Sequence, residues 1–271
     1  MSSVLAALYK RTPKHLWVED PETQVWLDTV WLGQAPTVSV LVAGGRSSVD
    51  AMCEQAIAMG APNVFGLVDQ DFGSTNRARW AGLAGVERVY RLDVHEMENF
   101  VIDHVALAGC SLNTGRRVAA DLEARILAAA RGRAWWLSCA KFLADTSQAA
   151  TAGYPSVPGT VASLADAETY IATSAWFAAT AAQCPPLAAP GAITAGLTRA
   201  HADADAALLD DSWRVAFPGK ELFRSVSGYV YQNAPGAAAR LDLIRSVGEW
   251  QLANNVVPVQ ATELRAAILA R

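Results

Sequence analysis

Acidic residues recur where they could hold a divalent metal ion. Glu19 follows a short apolar run, Asp69 and Asp71 follow another, and Glu96 and Glu98 come later in the chain. Magnesium is bound by a few carboxylates and keeps several waters, and paired ions can stabilise the attacking and leaving oxygens of a phosphodiester. Acids that converge from separate elements therefore predict phosphoryl chemistry that depends on Mg²⁺ or Mn²⁺.

The elements that precede these acids predict where the carboxylates meet. Apolar runs rich in β-branched residues lie at 15–19, 37–42, 63–68 and 88–92. Such runs, separated by helical patterns, indicate a mainly parallel sheet that is covered on both faces. Ligands of these sheets bind at the carboxyl ends of the strands. Glu19 and Asp69 each close a run, so we expect them at the same edge.

The pattern changes after about residue 110, where alanine becomes abundant and helical spacing dominates. Helical patterns lie at 118–131, 165–182, 200–209, 237–251 and 263–269. The best strand pattern in this part of the chain is Gly228–Tyr231. The fold class predicted is therefore α/β, with a catalytic domain over 1–108 and a mostly helical region over 109–271.

The same residues resemble a known family. Leu16–Asp20 (LWVED) looks like the FVEG strand of Toprim domains, and Gly66–Phe72 (GLVDQDF) looks like their DxD strand. The chain resembles the Toprim-like group called domain of unknown function 4435, which is related to the OLD-family nucleases. Matches to that group continue in the glycine turn at 43–47, the HEMEN segment at 95–99 and the GKEL segment at 219–222.

This resemblance implies a Toprim-like fold and a metal-dependent endonuclease that hydrolyses phosphodiester bonds of DNA or RNA. It implies that Glu19 acts as a general acid/base or a metal ligand, and that Asp69 and Asp71 bind Mg²⁺. Members of the group serve as effectors of bacterial anti-phage defence, often beside an ABC-type ATPase, and the PARIS effector nuclease is similar. Asp20 departs from the family pattern, because many Toprim chains have glycine there, and it adds charge beside Glu19.

Glu96 and Glu98 are predicted to supply additional metal ligands. Their side chains share a face only if the chain is extended, since alternate residues of a strand point the same way. The alternative is that both are first-turn acids of a helix beginning at Asn99, where the helix dipole favours negative charge.

Lys220 and the glycine turn are candidate groups for binding or catalysis at a phosphate. Lys220 could contact phosphate, or it could be an exposed turn lysine; the segment lacks the upstream glycine and following Ser/Thr of a Walker A loop. Gly44 and Gly45 are expected to form a backbone turn near the site, with Arg46 as a further phosphate contact.

Bulk composition excludes several classes of protein. The net charge of −4 disfavours a passive nucleic-acid coat protein, so any basic surface must be local. The 4 cysteines form no CxxC pair, which argues against a zinc ribbon and is consistent with a reducing cytoplasm. Residues 169–198 carry no charge, but prolines interrupt them, which predicts a buried helix followed by a loop and no membrane association.

Two other function classes stay open at this point. The chain could be a non-catalytic Toprim-like regulatory or interaction subunit, although it retains the main acids. It could also be a small-molecule phosphohydrolase, which a deep nucleotide-sized pocket would favour. A homodimer is expected because symmetric dimers are the commonest oligomers.

Overall fold

The predicted apolar runs form the strands of a single sheet. In a computed structural model, β1 (Lys14–Val18) lies between β2 (Val38–Val42) and β3 (Val64–Val68) and pairs in parallel with both. The sheet continues with β4 (Trp80–Leu83) and β5 (Val86–Arg91): β5 is parallel to β3, and β4 is antiparallel to β5 at the edge. The structure describes residues 2–10, 14–70, 80–83, 86–150, 155–232 and 236–271. The mainly parallel α/β sheet is therefore confirmed.

Helices cover both faces of the sheet at its first strands. The chain moves from β1 to β2 through α2 (Pro21–Val30) and returns to β3 through α3 (Arg46–Ala58). Crossovers between parallel strands are right-handed as a rule. The chain moves across the sheet in one direction from β1 to β2 and in the other from β2 to β3, so α2 and α3 lie on opposite faces. Gly66 of β3 allows α3 to pack closely, since a Cβ at this position would lie 2.5 Å from Val49 Cγ1.

The edge strand β4 was not among the predicted strands. Its sequence, Trp80-Ala-Gly-Leu83, is short and contains two small residues, so it carries little of the β-branched signal that marks the other strands. Pairing with β5 decides its conformation.

The other secondary-structure elements of the described chain are all helices. The helices are α1 (Ser2–Leu8), α4 (His104–Gly109), α5 (Ala119–Gly132), α6 (Ala134–Ala150), α7 (Leu164–Thr173), α8 (Ala175–Gln183), α9 (Ala192–Leu209), α10 (Trp213–Ala216), α11 (Gly219–Val230), α12 (Ala237–Ala253) and α13 (Val259–Ala270), with 3-10 helices at Met97–Phe100 and Pro185–Ala188. The mostly helical C-terminal region is thus confirmed.

The chain divides into two compact units. The first contains the described residues up to Gln70, those between Asn76 and Glu123, and Gly219–Arg271; the second contains Ala124–Pro218. The predicted boundary at residue 108 marks a change in amino-acid composition and not a boundary between compact units. By contacts, the last three helices belong to the unit that contains the sheet.

The strand predicted at Gly228–Tyr231 is wrong, because Gly228 to Val230 lie in α11. This helix buries Leu222, Phe223, Val226 and Val230. Their spacing follows the helical repeat, which places them on one face. The Gly-Tyr-Val-Tyr segment resembles a strand in sequence, but it lies at the end of this apolar helix face.

The uncharged stretch 169–198 is divided among more elements than predicted. It contains the end of α7, all of α8, the second 3-10 helix and the start of α9. Ser174 ends α7 and caps α8, whose buried residue is Thr180, so α8 is not the buried helix expected. Among the described residues, no helix is both long enough and apolar enough to cross a membrane.

Helix α12, the last but one, packs on α2 and holds it against the first 3-10 helix. Gln251 accepts a hydrogen bond from Trp26 Nε1 (2.9 Å) and donates one to the carbonyl of Phe100 (2.8 Å). The rings of Trp26 and Phe100 stack with centroids 5.1 Å apart. A single buried glutamine therefore links the helix after β1 to the segment that contains Glu98.

The cysteines provide a test of the packing. Cys53 and Cys139 are fully buried, and burial raises the pKa of each thiol to about 12. Because the thiolate is the reactive form, neither should react with iodoacetamide at neutral pH. Cys184, which is partly exposed, should be alkylated first. Peptide mass spectrometry measures this order, with Cys184→Ser as the control; fast labelling of Cys53 or Cys139 would contradict the packing described.

Candidate active site

Glu19 and Asp69 meet at the carboxyl edge of the sheet. Each residue follows the last residue of its strand, and β1 and β3 are neighbours. The backbone N–H of Asp69 donates a hydrogen bond of 3.0 Å to Glu19 Oε1, which orients the Glu19 carboxylate. The Asp69 side chain is buried and accepts a hydrogen bond of 3.2 Å from the N–H of Met97. The structure thus brings together the two acids that close the predicted strands.

Asp20 caps the start of α2 and also contacts Lys220, the lysine predicted as a phosphate contact. Its Oδ1 accepts hydrogen bonds from the N–H and the hydroxyl of Thr23, at 2.9 and 2.7 Å, and so caps the helix. Its Oδ2 lies 2.9 Å from Lys220 Nζ. Lys220 Nζ also lies 3.6 Å from Asp69 Oδ2. Lys220 is therefore a member of the acid cluster and not an exposed turn lysine.

Glu96 connects the end of the sheet to α11. It caps the 3-10 helix Met97–Phe100 in an extended conformation, and it exchanges hydrogen bonds with Asn99 in a capping box. Glu96 Oε2 also accepts a hydrogen bond of 2.7 Å from the backbone N–H of Lys220, at the start of α11. Both interactions engage the carboxylate, so its evident function in the described chain is to hold these two segments together.

Glu98 lies in the first turn of the same 3-10 helix and is almost fully buried, at 2% exposure. Its Oε2 accepts no hydrogen bond from the residues that the structure describes. A small cavity of about 40 Å³ borders Glu98 and Lys220, and Arg224 and Arg240 also line it. A water needs only about 10–15 Å³ of such space, so a ligand of Glu98 could be accommodated here.

Gly219 explains how α11 approaches so closely. A Cβ at this position would lie 2.5 Å from the backbone nitrogen of Asn99 and 2.8 Å from the carbonyl carbon of Glu98. Backbone atoms cannot move aside as a flexible side chain can. Glycine at 219 is therefore required for Lys220 to reach the acids.

The acids perturb one another strongly. Burial raises the pKa of Asp69 well above its ordinary value. The ammonium of Lys220 acts in the opposite direction on that pKa, while the carboxylates of Glu19, Asp20 and Glu96 raise it further. Fewer protons are released from such a cluster at neutral pH than from isolated acids.

The other members of the cluster follow the same balance between burial and charge. Burial raises the pKa of Glu98 well above its ordinary value, and it raises that of Glu96 as well. For Asp20, burial would raise the pKa, but the charge of Lys220 and the Thr23 hydrogen bonds outweigh it and lower the pKa. Burial would lower the pKa of Lys220, but the surrounding carboxylates, led by Glu98, raise it above its ordinary value. Lys220 is therefore a cation at neutral pH.

The glycine turn lies beside Glu19, as predicted from the sequence. The N–H of Gly44 donates a hydrogen bond of 3.1 Å to the carbonyl of Glu19, and Gly45 precedes α3. Both glycines have positive φ angles, 95° and 143°, which disfavour a side chain. Arg46 begins α3, where its charge lowers the pKa of Asp50 although burial keeps that pKa raised overall. Its role in phosphate binding stays a prediction.

Asp71, the second acid of the DxD match, lies outside the described residues. Within the described ranges, no group of three or more His, Cys, Asp or Glu side chains has the geometry of a metal site. The pairing of Asp20 with Lys220 and the contact of Gly219 with Asn99 were not predicted from the sequence. The extra charge at position 20 and the Gly-Lys dipeptide were the available signals, but contacts between residues more than 100 positions apart have no local pattern.

A second group of polar residues lies in the other unit and resembles a hydrolytic triad. Ser138 Oγ is 3.3 Å from His201 Nδ1, and His201 Nε2 is 3.6 Å from Asp205. Ser138, however, is fully buried, and its hydroxyl donates a hydrogen bond of 2.6 Å to the carbonyl of Ala134. A nucleophile must reach its substrate, so this arrangement serves packing.

No protein-family model, curated protein or solved structure matches the chain. The chemistry of the acid cluster is therefore the basis for a functional proposal.

The Gly219 contact generates a mutational prediction. Gly219→Ala should lower the free energy of unfolding by about 1–3 kcal/mol, the usual cost of overpacking. Gly228→Ala is a matched control on the same helix, because a Cβ there has no neighbour within 4 Å. The control should be neutral or stabilising by up to about 1 kcal/mol. Urea unfolding measures both changes, and an equal effect of the two substitutions would refute the close approach.

The burial of Glu98 predicts how the stability of the protein changes with pH. A raised pKa in the folded state means that folding binds protons, so stability falls as pH rises above the ordinary value of 4.5. Without divalent cations, Glu98→Gln should therefore raise the unfolding temperature at neutral pH, and this gain should vanish below pH 4.5.

The control for that experiment is Glu54→Gln, an exposed acid on α3, which should leave the pH dependence unchanged. Destabilisation by Glu98→Gln at neutral pH would mean that attraction to Lys220 outweighs the cost of burying the carboxylate.

Proposed function

We propose that the chain is a Mg²⁺- or Mn²⁺-dependent nuclease of the Toprim type, which hydrolyses phosphodiester bonds of DNA or RNA. The observation that carries the proposal is a cluster of acids at the carboxyl edge of a parallel sheet. Asp69 and Glu98 are buried and interact with the ammonium of Lys220, and the partly buried Glu19 is bound to the backbone N–H of Asp69. Burying several acids together costs stability, so their retention is expected where they do chemistry. The resemblance to Toprim strands supports the same reading.

The donor chemistry of these residues suits a hard divalent cation, although the described side chains do not by themselves form a three-ligand site. Their donors are carboxylate oxygens, which Mg²⁺ prefers, and Glu98 Oε2 is buried without a hydrogen-bond donor from the described chain. A buried polar atom of this kind calls for a water or an ion. Asp69, Glu98 and Glu19 would hold the metal, together with Asp71. When bound, Mg²⁺ supplies Lewis-acid stabilisation of the negative charge that develops on a phosphate.

Each side chain has a separate part in the proposed reaction. Glu19, whose carboxylate is oriented by the Asp69 N–H, accepts a proton from the attacking water. Lys220 keeps its proton because its pKa is raised. It therefore acts as a cation that attracts a phosphate oxygen, and it is not a general base. Glu96 and Gly219 are positioning residues, since they hold the start of α11 against the acids.

Partners belong to the same proposal. Nucleic acid is the substrate, and an ABC-type ATPase is the activating partner that the family resemblance suggests, in a cytoplasmic anti-phage system. A homodimer is the oligomeric state that we expect.

The first experiment measures cleavage by the purified protein with Mg²⁺ or Mn²⁺ on plasmid, single-stranded DNA and tRNA. Asp69→Asn should reduce cleavage by at least about 100-fold, the scale of a lost charge-stabilising group. Its unfolding temperature should not fall, because the substitution removes a buried charge. Removal of metal with EDTA should abolish cleavage.

The matched control is Glu54→Gln, which also converts a carboxylate to an amide but lies on the exposed side of α3. It should cleave like the wild type. Phosphodiester and phosphomonoester nitrophenyl substrates separate a nuclease from a small-molecule phosphohydrolase. An inert wild type that also fails to bind Mn²⁺ in calorimetry would refute the catalytic proposal.

A further inference from the structure

A groove of about 400 Å³ lies between α11 and α12, next to the acid cluster. Side chains of both helices line it, together with Tyr231 and Gly236 just beyond their ends. Its volume is within the range of small-ligand sites. The described residues that line it include Arg224, Gly228, Tyr231 and Arg240, and none of the described lining residues is acidic. The groove is therefore lined by basic side chains although the whole chain is acidic.

The groove borders the site through its two arginines. Arg224 and Arg240 line both the groove and the small cavity that contains Glu98 and Lys220. Each arginine already contacts an acid: Arg240 lies 3.3 Å from Glu22, and Arg224 lies close to Glu221. A guanidinium has five N–H donors, so one carboxylate does not exhaust them. Arg240 Nε is buried and donates no hydrogen bond within the described chain.

Gly228 indicates that the groove is kept open. Glycine inside a helix costs about 0.5–1 kcal/mol relative to alanine. Here neither backbone nor packing requires it, since its φ is not positive and a Cβ would meet nothing within 4 Å. A longer side chain at this position would project into the groove between Arg224 and Tyr231, which lie on the same face of the helix. Space for an occupant accounts for the glycine.

We propose that this groove binds one unpaired nucleotide of a single-stranded substrate, adjacent to the scissile phosphate. Arg224 and Arg240 match the charge and the bidentate geometry of a phosphate. Tyr231 offers an aromatic surface for a base. The volume admits one nucleotide and not a base-paired duplex. The inference rests on the proposed nuclease function, because it assigns the occupant to the substrate of that site.

The test measures binding without cleavage. Fluorescence anisotropy of short labelled DNA and RNA single strands is recorded in EDTA as a function of salt. Arg224→Gln and Arg240→Gln should each weaken binding about tenfold, the effect of a lost phosphate contact. Each should also lower the slope of log K against log salt by about 0.7. A merely structural effect of these substitutions would leave the slope unchanged.

Matched controls exist on the same helices. Arg245→Gln removes an arginine of α12 that pairs with Asp242 and does not line the groove, so binding should not change. Gly228→Leu should fill the groove and abolish binding, whereas Gly228→Ala should retain most of it. Unfolding temperatures at or above that of the wild type show that both glycine variants fold.

Three results would overturn the inference. Wild-type binding and salt slope in all groove variants would refute a nucleotide site. Tighter binding of duplex DNA than of single strands, with the same dependence on Arg224 and Arg240, would refute an unpaired occupant. Competition by adenosine or uridine monophosphate at the concentration of the oligonucleotide would assign the groove to a free nucleotide. It would refute the binding of single-stranded nucleic acid there.

The two proposals fail separately. Cleavage that is lost in Asp69→Asn but unaffected by Gly228→Leu leaves the nuclease standing and removes the groove. Single-strand binding that depends on the groove residues, without any metal-dependent cleavage, leaves the groove standing and removes the nuclease.

Discussion

The ammonium of Lys220 lies among carboxylates that would otherwise repel one another in a buried position. It is 2.9 Å from Asp20 and 3.6 Å from Asp69, and Glu98 contributes most to the rise in its pKa. Charges in such surroundings are tolerated only when they are compensated. The position of one side chain, more than 100 residues from the acids in sequence, therefore determines whether the carboxyl edge of the sheet can hold several acids.

Much of the first unit serves to place that lysine. Gly219 removes the side chain that would separate α11 from the Glu98–Asn99 backbone, and Glu96 accepts the N–H of Lys220. The apolar face of α11 fixes the helix in the core. Gln251 of α12 holds α2 and the 3-10 helix together from the other side. The C-terminal helices are thus part of the site and not an appended region.

The same arrangement gives the site its chemical character. A lysine that stays protonated cannot serve as a base, so the proposed reaction assigns proton transfer to a carboxylate. Glu19 is the candidate, because its carboxylate is oriented by a backbone N–H and is less buried than those of Asp69 and Glu98. Glu98 and Glu96 lie in one short segment but differ in function. Glu96 is used in capping, whereas Glu98 Oε2 is buried without a donor from the described chain. This asymmetry arises because the segment is a 3-10 helix with an extended cap, a conformation intermediate between the two that sequence analysis weighed.

The sequence by itself determined the sheet and the acids at its edge. Apolar runs followed by acids are local patterns, and strand polarity then forces Glu19 and Asp69 to one edge. Local patterns did not predict β4, whose conformation depends on pairing with β5. They also gave a wrong strand at Gly228–Tyr231, because a few residues cannot distinguish a strand from the end of an amphipathic helix. Only the tertiary structure decided that Lys220 enters the cluster, that Asp20 is its partner and that Arg224 and Arg240 border the site. These contacts depend on how distant helices pack, and packing leaves no periodic signal in the segments that it joins.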